Sequence, residues 1–159
     1  MEFSSRYMIG IDLGTTNSVV AYSDKQAGDN QGAPDIQVFQ VPQLVAEGEV
    51  RAVPTLPSFL YFPNEHDLSS GGMRLPWEER PESVAGVLAR EQGALVPGRQ
   101  VSSAKSWLCH AGVDRSAPLL PWAAPPDVPR ISPVEASTRY LRHFVDAWNA
   151  KMAAKHQAR

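Results

Sequence analysis

Residues 9 to 22 read IGIDLGTTNSVVAY, two apolar, β-branched runs on either side of one polar interruption. Met8 to Leu13 and Ser18 to Tyr22 therefore predict two strands joined by a short glycine-containing turn, a β-hairpin. From Asp35 to Val41, Ile36, Val38 and, less cleanly, Gln40 share one alternating face. Pro54 and Pro57 interrupt the next segment, after which Ser58 to Phe62 (SFLYF) predicts another strand. Between 63 and 83, Pro63, Ser69, Ser70, Gly71, Gly72, Pro76 and Pro81 predict loop. The period then changes. Val84, Val87, Leu88, Glu91 and Leu95 follow the three- and four-residue spacing of one helix face, with only Glu91 out of character. Pro97-Gly98 ends that helix. Val101, Ala104, Leu108 and Ala111 predict a second, short one that Gly112 would end. Ser132-Pro133-Val134-Glu135 has the form of a capping box with proline at the first helical position, where its missing N–H costs nothing. Behind it, Tyr140, Leu141, Phe144, Val145, Trp148 and Met152 form an apolar stripe. Lys151, Lys155, His156 and Arg159 sit in the last turns, where the helix dipole favours cations.

The pattern thus divides the chain into 1–62, mainly strands, 83–112, helical, 118–131, a proline-rich loop, and 132–159, a long helix. Strands first and helices last, with no strand after the final helix, predict an interrupted α/β fold. The chain is expected to be a fragment of a longer protein. Proline sharpens the loop assignment, because five of the fourteen prolines fall between Pro118 and Pro129, too dense for a helix or a central strand.

Composition narrows the class. A chain of 159 residues can bury one modest core, and 43% apolar with 20% charged residues is the balance of a soluble globular protein. A formal charge of -2 gives no bulk attraction to nucleic acid or an anionic membrane. Cys109 is the only cysteine, which excludes an intrachain disulfide and a cysteine zinc cluster; packing predicts a buried thiol. The start, MEFSSRYMIG, lacks the basic and apolar regions of a secretory signal, and no run reaches the roughly 18 apolar residues of a membrane span. A cytoplasmic location is the expectation. His66, His110, His143 and His156 have no metal-ligand spacing, so surface or structural roles are expected of them, and Trp77, Trp107, Trp122 and Trp148 are scattered, so a base-stacking platform is not indicated.

The DLGTTNS turn carries the candidate chemistry. Backbone N–H groups in a tight turn can converge on an anion, and Gly14 lacks the Cβ that would hold a phosphate away. Thr15 and Thr16 add hydroxyl donors, and Asn17 can support the turn with its own side chain. Asp12 beside a phosphate makes sense with a cation between them; magnesium takes one or two carboxylates, directly or through its waters. On composition alone a plain hairpin with a polar tip is the simpler account, since short DxG turns are common.

The full stretch IGIDLGTTNSVVAY closely resembles the first phosphate-binding hairpin of the seventy-kilodalton heat-shock (DnaK-type) chaperones. The P-loop pattern GxxxxGK[ST] and the GxGxxG fingerprint are absent, and more distant actin-fold proteins share only a looser DxGxT. The resemblance continues through RAVPTLPSFLYF (51–62), AGVLAREQGALVPGRQVSSAKSWL (85–108) and ISPVEASTRY (131–140), weakly in the middle and strongly at 9–22. It implies an actin-like (ribonuclease-H-like) ATPase fold, of which this chain holds an incomplete first lobe with amino-terminal β-hairpins followed by helices. By the same resemblance, the second lobe and the peptide-binding domain are expected to lie outside these residues. It implies ATP or ADP with Mg2+ as cofactors, and unfolded peptides and co-chaperones as partners of the full-length protein in protein folding and the stress response. Gly14, Thr15, Thr16 and Asn17 would contact the β- and γ-phosphates, and Asp12 would hold the magnesium directly or through water.

Two departures from the family matter. Arg90 stands where the family carries a lysine that contacts the attacking water and the γ-phosphate, and an arginine's planar fork reaches differently. Its plain reading is a solvated charge on an amphipathic helix, and Lys105 is expected to be a surface or packing residue. The family's second phosphate hairpin, adenosine segment and other acids lie beyond the equivalent of Arg159, and half a clamp binds weakly. Little or no ATPase activity is expected of this chain alone. The rival readings are a truncated, non-enzymatic interaction module and a fragment of an actin-fold small-molecule kinase.

Overall fold

The computed structural model describes residues 5–26 and 35–157. Over these the protein is mixed α/β, with small antiparallel sheets and helices. The predicted hairpin is present: β1 (Tyr7–Asp12) pairs with β2 (Asn17–Asp24), from Tyr7 opposite Asp24 to Asp12 opposite Val19. Arg6 closes its open end on Asp24, with Nη2 2.7 Å from Oδ2. The other side of β2 is shared between β3 (Gln37–Val38), which pairs with Ala21 and Tyr22, and β6 (Leu56–Pro57), which pairs with Asn17 and Ser18. That leaves β1 at the edge of its sheet.

The expected face of 35–41 has the opposite phase. Ile36, Val38 and Gln40 are exposed, whereas Phe39 and Val41 are buried, because Phe39 packs against Trp148 at 5.1 Å between ring centroids. Val41 opens β4 (Val41–Ala46), which forms a hairpin with β5 (Glu49–Val53). Gly48 turns it with φ +71. The sequence pattern hides this hairpin, since one buried position of β4 is Gln43. That side chain replaces two missing backbone partners: Nε2 donates to Thr55 O, and Oε1 accepts from the N–H of Val87, each at 2.9 Å. Val87 starts α2 (Val87–Leu95), whose cap residue Gly86 has φ +100. A Cβ on Gly86 would lie 2.2 Å from Gln43 Oε1 and 2.9 Å from Leu56. Only glycine fits there.

β7 (Leu60–Tyr61) lies between β8 (Val84–Ala85) and β9 (Gln100–Val101) in a second antiparallel sheet. Its alternation divides the interior. Leu60 and the following Phe62 join the main core with Val20, Val41, Leu56, Tyr140 and Phe144. Tyr61 points the other way, to Leu44, Met73, Val84 and Leu88.

The helices correct several expectations. The loop at 63–83 contains α1 (Glu65–Ser69), capped reciprocally by Asn64 and Asp67. α2 starts at Val87 because Val84 and Ala85 are strand. It buries Leu88, Ala89 and Gly93, while Leu95 is 78% exposed. The short helix is α3 (Ala104–Leu108), with Val101 in β9. Cys109 caps it and is exposed, not the buried thiol expected. Trp107 and Trp122 are not scattered: their rings stack at 5.5 Å and 13°. The proline-rich segment is a loop closed by a bridge between Leu120 and Ile131.

α4 (Pro133–Gln157) starts as predicted. Ser132 Oγ accepts from the N–H of Glu135 at 3.0 Å, while the Glu135 carboxylate turns to Arg139 Nε at 2.9 Å. Its core face is Ala136, Tyr140, His143, Phe144, Ala147 and Met152. Leu141 and Val145, expected in that stripe, are exposed. Lys151 Nζ donates to Gln40 O at 3.0 Å. Arg159 and the side chains of Lys155 and His156 lie outside what is described. No helix of the described residues is long and apolar enough to cross a membrane.

Candidate functional site

The DLGTTNS turn is built from the backbone outward. Gly14 passes so close to Asn17 that a Cβ would lie 2.0 Å from the Asn17 carbonyl oxygen. This approach, rather than an unusual φ, makes position 14 a glycine. Ser58 then clamps the turn from below. Its N–H donates to Thr16 O at 2.9 Å and its hydroxyl to Gly14 O at 2.8 Å. With the single hydroxyl proton of Ser58 committed to Gly14, Ser18 is the donor of the 2.9 Å bond between Ser18 Oγ and Ser58 Oγ. The Ser58 carbonyl accepts from Tyr140 Oη of α4 at 3.0 Å. Ser18, Ser58 and Tyr140 are all buried, and burial raises the Tyr140 phenol well above its ordinary pKa. That group stays a neutral donor.

Above this clamp the turn faces solvent. Asp12, Thr15, Thr16 and Asn17 are exposed, and no side-chain hydrogen bond holds any of the four among the described residues. The structure therefore brings together five of the six site residues the sequence singles out: Asp12, Gly14, Thr15, Thr16 and Asn17. The sixth, Arg90, is on α2. The helix start at Gly86 packs toward Leu56 of β6, the strand that pairs with Asn17 and Ser18. The Arg90 guanidinium is held by its neighbour Glu91, with Nη2 2.8 Å and Nε 3.0 Å from Oε1. Lys105 is exposed on α3.

Sequence reasoning missed the clamp. Ser58 reads there only as the first residue of a strand, and nothing local signals a partner 44 residues earlier or one 82 residues later. Replacing Ser58 with alanine is expected to leave Gly14 O without its side-chain donor and Ser18 Oγ without its acceptor. The expected cost is about 1–3 kcal/mol, read as a lower urea midpoint with unchanged slope. Tyr140→Phe should cost less, since the Ser58 carbonyl loses one donor and no cavity opens.

Elsewhere, a cleft of about 270 Å3 between α4 and residues 75–85 is lined by Trp77, Glu78, Arg139, Arg142, His143 and Asp146 among others. It shares no lining residue with the turn. Arg139 is already engaged by Glu82, Glu135 and Ser83. His143 is nearly buried; its Nε2 donates to Pro42 O at 2.9 Å, and Trp77 meets its ring edge-on at 5.3 Å. Burial pushes His143 down to about 4, against weaker opposing effects of the Pro42 bond and Asp146. A neutral, structural histidine results. Among the described residues no group of three or more His, Cys, Asp or Glu side chains could hold a metal ion by itself. A cation at the turn would therefore need ligands from its anion as well as from Asp12.

No protein-family model matches the chain, and no curated protein or solved structure matches it.

Proposed function

We propose that this chain contributes the first phosphate-binding hairpin of an actin-like nucleotide-binding domain, in an ATP-dependent chaperone of the seventy-kilodalton heat-shock type. One observation carries the reading. The glycine turn is fixed from beneath by Ser58, while its hydroxyls and Asp12 stay open to solvent. A hairpin with a merely polar tip has no need of a buried four-bond clamp. In this reading the N–H groups around Gly14, Thr15 and Thr16 bind the β- and γ-phosphates, with Thr15 and Thr16 Oγ1 as added donors and Asn17 supporting the turn. Asp12 fits one position in the hydration shell of a magnesium ion, which when bound would neutralise phosphate charge.

Arg90 has to leave Glu91 to reach a γ-phosphate, and the opposing half of a nucleotide clamp is not among these residues. Binding without turnover is the expected behaviour, with an affinity on the order of millimolar. The test is an amide NMR titration of the chain with Mg·ATP. Shifts confined to residues 12–18 are expected, weakened about tenfold or more by Thr15→Val, which removes one donor to a charged group. Asp12→Asn should abolish the magnesium dependence and leave weak binding of free ATP. No shift in 12–18 at saturating Mg·ATP, or equal shifts spread over the surface, would sink the proposal. The reading as a non-enzymatic interaction module draws on a different observation, the exposed apolar edge at β1.

A further inference from the structure

We infer that the cleft between α4 and residues 75–85 is a binding site for a small organic cation, an alkylammonium or alkylguanidinium group whose N–H donors meet Asp146, Glu78 and Nδ1 of His143. The lining carries four acids against two arginines, a surplus of two negative charges. Arg139 is already taken: its guanidinium lies 3.0 Å from Glu82 Oε2 and 2.9 Å from Glu135 Oε1. That leaves the carboxylates of Glu78 and Asp146, which have no side-chain hydrogen bond or ion pair among the described residues.

His143 supplies a second, independent signal. Its side chain is nine-tenths buried, at 6% exposed. A carbonyl can only accept, so Nε2 carries the proton of the bond to Pro42 O, and Nδ1 holds a lone pair. No described residue donates to that lone pair. Yet among the described residues no buried side-chain nitrogen or oxygen is left without a partner. Nδ1 is therefore reached from outside, and the opening beside His143 is the cleft it lines. An acceptor placed there is completed by a ligand that brings its own N–H.

Size and lining narrow the occupant. Leu75 and Ala85 are buried and Trp77 half-buried at the cleft, an apolar wall for an alkyl stem. Its volume of about 270 Å3 falls just short of the roughly 300 Å3 at which drug-sized pockets start. One short chain with a charged head fills it. Among the described residues no three His, Cys, Asp or Glu side chains could hold a metal ion, so the acceptors suit a head group with several N–H donors better than a bare cation. Arg142, exposed and without a partner among the described residues, is the lining charge that opposes such a ligand.

The test titrates n-butylammonium chloride into the full chain, followed by amide NMR and by the nitrogen resonance of His143 Nδ1. Saturable shifts at residues 75–85 and 138–146 are expected, with a Kd on the order of millimolar, and Nδ1 should move as it accepts a hydrogen bond. Asp146→Asn should weaken binding about tenfold and Glu78→Gln severalfold, while Arg142→Gln should tighten it. Neither carboxylate holds another element, so the rest of the spectrum should stay unchanged. Butyltrimethylammonium, which keeps the charge and has no N–H, should bind more weakly than the primary amine. Acetyl-lysine methylamide separates the two sources of this chemistry: equal binding assigns the cleft to a peptide side chain, and exclusion assigns it to a free amine. No saturable shift with n-butylammonium, equal shifts with n-butanol, or a preference for butyrate would each overturn the proposal. None of these outcomes bears on phosphate binding, because the cleft shares no lining residue with the turn.

Discussion

Gly14→Ala is expected to lower the stability of the chain by about 2–4 kcal/mol and to remove phosphate binding altogether. The added Cβ would sit 2.0 Å from the backbone oxygen of Asn17, well inside contact distance, and no side-chain rotation relieves an overlap with main chain. The turn has to open. Opening it withdraws Gly14 O and Thr16 O from Ser58, so strain and lost buried hydrogen bonds add. Gly10→Ala is the control, because a Cβ at Gly10 meets nothing within 4 Å. There the substitution should be neutral or slightly stabilising through reduced freedom of the unfolded chain. Urea unfolding gives the energies, and hydrogen exchange at residues 14–18 shows where the damage lies. Equal midpoints for the two variants would mean that the close approach to Asn17 is not required.

The second large effect depends on pH. His143 is depressed in the folded protein from 6.5 to about 4, first by burial. Its unfolded form takes up a proton as pH falls through 6.5, whereas the folded form stays neutral until about pH 4. The stabilisation is therefore complete above pH 6.5 and is lost progressively down to about pH 4, a swing of about 3 kcal/mol. Below that, the imidazolium would have to be accommodated beside Trp77, with Asp146 as the acid that eases its charge. Stability from urea titrations at pH 7, 5.5 and 4.5 should fall steeply. In His143→Gln, whose amide can still donate toward Pro42, the slope should be shallower. Identical slopes would show that His143 does not control the acid transition.

Local signals are legible where one element carries its own instructions. The β1–β2 hairpin, the stop at Pro97-Gly98 and the capped start of α4 all follow from residues within a few positions of each other. Failures occur where a partner far along the chain decides. Phe39 reverses the face of 35–41 because Trp148 receives it. Gln43 hides β4 because a buried amide substitutes for an apolar residue. Leu141 and Val145 look like core in a helical stripe, yet α4 turns its Ala136, His143 and Ala147 side inward instead. At the candidate site the exposed half, Asp12 to Asn17, was legible because its chemistry is contiguous. The supporting half was not, because Ser58 and Tyr140 are ordinary residues until the fold brings them under the turn.

That support has a consequence for the order of assembly. A ribosome releases Gly14 to Ser18 well before Ser58 and long before Tyr140, and the bonds that link the turn to Ser58 and Ser58 to α4 span 44 and 82 residues. Contacts of such separation form late. The hairpin can zip early from local pairing, but its tip is held only once Ser58 has arrived beneath it, and Ser58 gains its last bond only when α4 docks, so a chain still being made carries the motif before its cradle is complete.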